Sequence, residues 1–533
     1  MSMSPLSPAR RPTSGLRLAA GVAAAAILAT TVGPVAAAPP QGNQSGVKTS
    51  QPAMLTKVRT DVEIEALLTV GETLPGGYRF ESIPDGISLR TRGNGRVDLY
   101  VNHETSTVPF PYTPAAPTEA NSQNDFDNSQ LSHIILNQHS GGVLSARMAI
   151  RSDENFQRFC SNFLATAEQG FDREILFTNE EATDIVNRTG IAWPLTAGGS
   201  DPQQAGVVVA YDVRTGQRRP ILGMGRHNHE NSVAVPGLSQ LALFSGDDTF
   251  VSNPPNSQLY VYMAPDADAV WNDQGKLYAF KPDSAATDDY YDVSGAATVA
   301  GTFIEVPKAT AQSDQTALET WSQANGVFDF VRIEDIAYDR NNPHILYLAD
   351  SGRGSGAAPN GRIWKLVLDE QSDGLHGTLS ILINGDTSAV GTEGVIHQPD
   401  NLETTPNSLL IQEDPGSGNQ YTIGTGTTAR IWRYDVAGPD AGTLEVVARI
   451  DQSADEGPTD VDSSSAAKWG AWESSGIVDA SAAFGPGAFF VTVQAHSLWI
   501  EKAPGPDYVA PSGPDFTLKR EGGQLLLVRI PGA

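Results

Sequence analysis

Residues 223–248 read GMGRHNHENSVAVPGLSQLALFSGDD, and the reading of this stretch decides the fold. A polar knot, Arg226-His227-Asn228-His229-Glu230-Asn231, leads into the alternating run Ser232-Val233-Ala234-Val235. A Pro236-Gly237 turn follows, then an apolar run over 241–244 that ends in Gly246-Asp247-Asp248. Alternation at period two, a turn and a second apolar run predict a β-hairpin with oxygen and nitrogen donors where both strands end. Taken alone, the stretch reads equally well as a strand entered through a solvated polar loop. The arrangement recurs, however, at Asn102-His103-Glu104, Asn179-Glu180-Glu181, Glu334-Asp335, Asp400-Asn401 and Gln412-Glu413-Asp414. Each places a carboxylate at one end of a short hydrophobic strand, and the recurrence favours a functional rim.

Outward from this hairpin the chain is strands and turns. Residues 97–101, 206–211, 259–262, 276–280, 345–349, 362–366, 409–411, 431–434, 488–493 and 524–528 are short apolar runs rich in Tyr, Trp, Val and Ile. Between them, 52 Gly and 35 Pro supply the punctuation. Helical patterning is confined to 316–325 and a second candidate at 61–68. Many short strands with few helices predict an all-β sandwich or propeller. The repeated pairing of an acid-ended strand with an aromatic one (345–349 with 362–366, 409–411 with 431–434) selects the β-propeller. Six blades leave roughly 80 residues for each, above the ~40–50 of short-repeat propellers, so long inter-blade insertions are expected at 106–130, 184–205, 281–325 and 451–470. Residues 58–533 read as a single propeller domain, preceded by a Pro/Gly/Gln/Ser-rich, disordered leader over 39–57.

The net charge of −27, from 62 acidic and 35 basic residues, argues against a nucleic-acid partner. It fits plain solubility, or carboxylates partly neutralised by bound cations. The single cysteine, Cys160, excludes an intramolecular disulfide and reads as a buried inert thiol or a metal-ligating thiolate. Residues 1–38 have the layout of a signal peptide: Arg10, Arg11 and Arg17, an Ala-rich apolar stretch, and small residues up to Ala37. The Arg10-Arg11 pair admits twin-arginine export beside the Sec route, and the expected location is extracellular or in the cell envelope. No later run approaches the roughly 18 apolar residues of a membrane span.

A thiolate prefers softer transition metals and carboxylates prefer hard cations such as Ca²⁺ or Fe³⁺. A site joining Cys160 to Asn179-Glu180-Glu181 therefore implies mixed metals. Glu393, His397 and Asp400 precede one strand, and Glu473 and His496 can meet across a hairpin; a simple turn at Pro399-Asp400 and an exposed Glu473 are the competing structural readings. Rival chemistries find no motif: the chain has no GxSxG elbow, P-loop, GxGxxG after a strand, EF-hand loop, CxxC or HExxH.

In order along the chain, LYVNHE (99–104), Cys160 followed by LFTNEE (176–181), GRHNHENSVAV (225–235), SGDD (245–248), RIEDIAYD (332–339), HQPDNL (397–402) and WESSGIVD…VQAH (472–496) resemble the PhoX-type bacterial alkaline phosphatases. The closing motif marks a divergent, actinobacterial-style branch. The resemblance implies a six-bladed propeller that is exported and hydrolyses small phosphate monoesters at a central cluster of Fe³⁺ and Ca²⁺. It makes Cys160 the thiolate iron ligand and Glu181, Glu230 and Glu473 carboxylates facing the cluster, with Glu104, Glu334 and Asp400 as further metal ligands. Arg226 and His229, in the same loops, would complement the phosphate charge as catalytic cations. The family pattern reads Cys-Glu-Glu where this chain has Asn179-Glu180-Glu181, and a Gly-rich Thr-Pro-Trp-Gly stretch where it has residues 161–173. Two other expectations compete: a calcium-binding secreted propeller without turnover, and a calcium-only phytase-like or lactonase-like hydrolase. Neither has a use for Cys160.

Overall fold

The computed structural model describes residues 45–104, 129–151, 154, 156–183, 205–354, 356–415, 421, 425–454, 470–501 and 519–533. The expected signal peptide and most of the insertions at 106–130, 184–205 and 451–470 lie outside these described residues.

Short alternating strands joined by tight turns can bury their faces only against neighbouring sheets, and here they do so in a ring. Six antiparallel four-stranded meanders, here called blades I to VI, follow one another along the chain. Their innermost strands are Pro84–Gly93, Phe159–Ala165, His229–Val235, Ile333–Tyr338, Pro399–Thr404 and Glu473–Asp479. Each packs against the next and the last against the first, closing a ring round a central channel. Blades III and IV are also joined outside the ring, where Thr298–Glu305 pairs with Gly374–Asn384. The result is the expected all-β propeller.

The apolar core is divided among the six seams between blades. Tyr100 and Leu131 meet Phe159 and Leu176 between blades I and II, and Tyr347 and Ile363 meet Leu409 and Ile411 between IV and V. Trp364 fills the seam between III and IV. At roughly 1.5–3 kcal/mol for each large apolar side chain buried, the seams carry most of the favourable free energy of closure.

Three local expectations meet the structure differently. The helix at 316–325 forms as Gln315–Asn325, started by Asp314, whose side chain accepts the Ala317 N–H at 2.8 Å, and stopped by Gly326 in the left-handed conformation. The helix expected at 61–68 is instead a strand, Glu63–Thr69, paired with the C-terminal strand Lys519–Arg529. Its Glu, Ala and Leu residues favour a helix locally, and pairing with the last blade overrides that preference. The leader expected to be disordered over 39–57 is partly built into the fold. Leu55–Lys57 pairs with Leu444–Ile450 on blade V, and Met54, buried with Leu55, donates its N–H to Gln524 Oε1 at 2.8 Å. Two apolar side chains find a seam that composition alone does not reveal.

Candidate metal centre

Every inner strand begins with the same irregularity. In blade I Pro84 pairs with His103, and pairing resumes at Ile87 with Val101. Phe159 pairs with Glu180 and then Asn162 with Thr178. His229–Asp247, Ile333–Asp350 and Pro399–Glu413 are followed by the same one-residue bulge. In blade VI the position equivalent to the first pair is Ser474–Val493; Ser475 then pairs with Thr492, and the one-residue bulge comes one step later, between Ser475 and Ile477. A bulge re-aims the residues beside it. Here the residue after each first pair member supplies Asp85, Cys160, Glu230, Glu334, Asp400 and Ser475 on the inner strands. On the second strands it supplies Glu104, Glu181, Asp248, Ser351, Asp414 and Gln494.

These residues converge. Cys160 Sγ lies 2.9 Å from Asp85 Oδ2 and 3.1 Å from Glu230 Oε1. Three overlapping groups hold their ligand atoms within 4.8 Å of one another: Asp85, Glu104 and Cys160; Cys160, Glu181 and Glu230; Glu230, Glu334 and Asp400. Hydroxyls and amides fill the neutral positions: Ser475 Oγ donates to Asp85, Gln494 Nε2 to Glu104 Oε1 at 2.6 Å, and Ser351 Oγ to Glu334 Oε1 at 2.5 Å. Glu473 stands one step before the blade VI pair, hydrogen-bonded to Asp414, with Oε2 3.5 Å from His496 Nε2.

The acidic doublets of the sequence divide their labour. Glu180 accepts the N–H groups of Gln157 at 2.7 Å and Val207 at 3.1 Å, fixing its loop, while Glu181 faces the cluster. Glu413 likewise accepts the His397 N–H at 2.8 Å and is clamped by Arg430, leaving Asp414 toward Glu473. Beside the cluster a polar floor ties the inner strands together. Asn401 Nδ2 donates to Ser161 Oγ at 2.9 Å, the Gly476 N–H to Asn401 Oδ1 at 3.0 Å, and Asn231 Nδ2 to Asp335. A cavity of ≈ 380 Å³ lies beyond this floor, walled by Ile87, Leu89, Phe163, Val233 and Ile336, and no member of the three ligand groups lines it.

The electrostatics call for cations. Burial, and then the charge of neighbouring carboxylates, pushes Glu230, Asp400 and Glu473 well above the usual carboxylate range. Burial, and then Asp85, does the same to Glu104. The Cys160 thiol is driven up by burial and by Asp85 and Glu230. Asp400 Oδ1 is buried with no hydrogen-bond partner among the described residues. Against these acids the layer holds Arg332, which grips Asp248 with two 2.7 Å hydrogen bonds and Glu334 with a 2.7 Å contact. Arg158 adds its charge beside Glu181 and Glu104. Carboxylates crowded beyond their cationic partners are stable together when protonated or when metal ions lie between them. The donor set, one thiol among carboxylates with an orphaned Asp400 oxygen, fits metal ions.

Cys160, Glu104, Glu181, Glu230, Glu334, Asp400 and Glu473, all singled out from the sequence, are brought into this layer. His229 is not. Arg226 Nε donates to the Ala205 carbonyl at 3.2 Å. His229 spends both ring nitrogens within its blade, on Ser245 Oγ at 2.7 Å and the Gly225 carbonyl at 3.1 Å, and burial holds its pKa down at about 4. Strand alternation turns Glu230 to the channel and its neighbour His229 away. Glu393 is exposed, and His397 hydrogen-bonds Asn360 Oδ1 at 2.9 Å rather than joining Asp400. Sequence reasoning missed Asp85, a lone acid in Ile83-Pro84-Asp85-Gly86 without a doublet to mark it, and Arg332, which lay inside a quoted motif.

A ring of blades whose bulged inner strands bring one thiol and a surplus of carboxylates to the channel defines an all-β propeller with an acidic cluster suited to hold metal ions. A family profile described as alkaline phosphatase PhoX matches residues 136–459, and the chain belongs to that family. Asp85, Glu104 and Glu473 fall outside the matched segment, and ring closure brings them to the centre. No curated protein matches the chain. Among solved structures, the chain is similar to the GH93 α-L-arabinofuranosidase of Fusarium graminearum in complex with arabinobiose, at 8% identity and TM-score 0.36 over 87% of this chain and 97% of that one. It is also similar to the NanB sialidase of Streptococcus pneumoniae, at 7% identity and TM-score 0.37 over 83% of this chain and 68% of that one. Neither likeness bears on activity.

Proposed function

We propose that this protein is an exported phosphatase that hydrolyses small phosphate monoesters at a centre holding ferric iron and calcium. The observation that carries the reading is the meeting of Cys160 with Asp85 and Glu230 in a layer where carboxylates outnumber cationic side chains. A thiolate among carboxylates suits a transition metal beside hard cations, whereas a calcium-only site gains nothing from sulfur.

Cys160, Asp85, Glu104, Glu181 and Glu230 would hold the cations on one side, and Glu230, Glu334 and Asp400 on the other. Bound there, the metals supply Lewis-acid charge to the phosphoryl and leaving-group oxygens. The chain does the rest. Arg332, fixed by Asp248 and Glu334, presents a guanidinium in the same layer and is suited to orient phosphoryl oxygens; this geometry favours it over His229 for that role. The Asn401–Ser161–Gly476 contacts tie the inner strands of blades II, V and VI together beside the centre.

Export rests on residues 1–38; among the described residues no helix is long and apolar enough to cross a membrane. Elemental analysis of gently purified protein, paired with p-nitrophenyl phosphate hydrolysis with and without added calcium, tests the whole reading. Iron with calcium-dependent turnover is the expected result. Calcium alone without turnover would leave a metal-binding propeller and remove the enzyme.

A further inference from the structure

The residue immediately before each bulged pair forms a second layer. Blade by blade it is Ile83, Arg158, Asn228, Arg332, Gln398 and Glu473. Arg332 reaches Asp248 and Glu334, Glu473 is hydrogen-bonded to Asp414, and Arg158 donates from Nη1 to the Glu181 carbonyl at 3.2 Å. Asn228 Nδ2 donates to the Asp248 carbonyl at 3.2 Å. Two of the six positions are thus directed at members of the ligand groups, and two more at Asp248 and Asp414 of the same layer.

Gln398 occupies this position in blade V and differs from the others. It is wholly buried, and neither its amide nitrogen nor its amide oxygen has a hydrogen-bond partner among the described residues. Its backbone is left-handed, with φ of 46°, a conformation uncommon for a residue with a side chain. Arg158 shares that conformation, with φ of 38°, at the same position in blade II, which faces blade V across the ring. Strained backbone at equivalent positions is retained where the side chain it aims has work to do. Leaving a buried amide unpaired costs about 1–3 kcal/mol, a cost that a ligand supplying the missing partner removes.

We propose that Gln398 is a substrate-binding residue whose carboxamide N–H donates to a phosphoryl oxygen of the bound ester, from the side of the centre opposite Arg158. The assignment rests on the phosphatase reading above. It makes Gln398 a determinant of affinity for tetrahedral oxyanions, acting in the ground state and transition state alike, so it should move KM more than kcat.

The test uses the metal-loaded full chain and inorganic phosphate as probe, with affinity measured by calorimetry. Gln398→Met keeps the volume and removes the amide; Gln398→Gly removes it and suits the left-handed backbone. Both should weaken phosphate binding about tenfold or more, the worth of one hydrogen bond to a charged acceptor. Both should raise KM for p-nitrophenyl phosphate in step, with kcat and metal content unchanged and thermal stability not reduced in Gln398→Met. Phosphate affinity within twofold of the unaltered protein in either folded variant overturns the assignment and leaves the phosphatase reading standing. Failure of the unaltered protein to bind phosphate or turn over ester overturns both.

Discussion

Cys160 Sγ and Glu230 Oε1 stand 3.1 Å apart, and each of these two residues belongs to two of the three ligand groups. They are contributed by neighbouring blades at the same point of the same bulge. The pair therefore joins the two halves of the centre, and substitution of either should disturb more than one cation.

Cys160→Ser exchanges a soft donor for a hard, weakly ionised one. Iron content and phosphatase turnover should fall together, each by about tenfold or more, while calcium binding is largely kept. Elemental analysis and steady-state kinetics on the same preparation check this; retention of both iron and turnover would remove the iron-ligand assignment.

Glu230→Gln keeps the shape and removes a charge shared between groups. The fold should survive, because burial already presses this carboxyl toward its neutral form. Turnover should drop about a hundredfold or more, the scale seen when one preorganised electrostatic partner is lost. Circular dichroism should be unchanged; an unaltered kcat would show that Glu230 is a bystander.

Removal of the metals should give the protein an inverted pH response. Glu104, Glu181, Glu230, Glu334, Asp400 and Glu473 are all raised in the folded chain, by burial first. The folded state then keeps protons that the unfolded state releases above about pH 4.5, so stability is full below that value and lost as pH rises through the folded pKa values. The Tm of chelator-treated protein should fall between about pH 5 and pH 8, and added calcium should raise it most at the alkaline end. A Tm that climbs with pH in the stripped protein contradicts this account of the acidic layer.

Gly86→Ala probes how tightly the blades bring the ligands together. A Cβ at Gly86 would meet Asn162 N and Ser161 Cα at 2.6 Å and the Cys160 carbonyl at 2.8 Å, all backbone. Overpacking of this kind costs about 1–3 kcal/mol. Because the displaced strand carries Cys160, iron retention should fall along with the urea midpoint. Wild-type values for both would mean that the two inner strands can slide apart freely.

Much of this was legible beforehand because it depends on local chemistry. Period-two alternation in 232–235 and the apolar run over 241–244 marked the strands, and doublets such as Glu180-Glu181 and Asp247-Asp248 marked the rim. What escaped depends on register or distant partners. The bulge is a shift in pairing between two strands and leaves no residue type behind, so Asp85 and Gln398 went unmarked. Glu63–Thr69 carries helix-forming residues and becomes a strand only because Lys519–Arg529 is there to pair with it. His229 sat in the most conspicuous polar knot, yet strand alternation sends it into the blade and its neighbour Glu230 to the channel.

That terminal pairing has a consequence for how the molecule comes into being. The strand that seals blade VI, Glu63–Thr69, is made before any of the six inner strands, and its partner, Lys519–Arg529, is made after all of them. The inner-strand donors run from Asp85 in blade I to Ser475 in blade VI, so no partial chain can offer the full set. Metal loading at this centre would have to wait until Lys519–Arg529 has been made, and a truncation that spares every liganding residue but removes that strand should yield a product unable to retain ions.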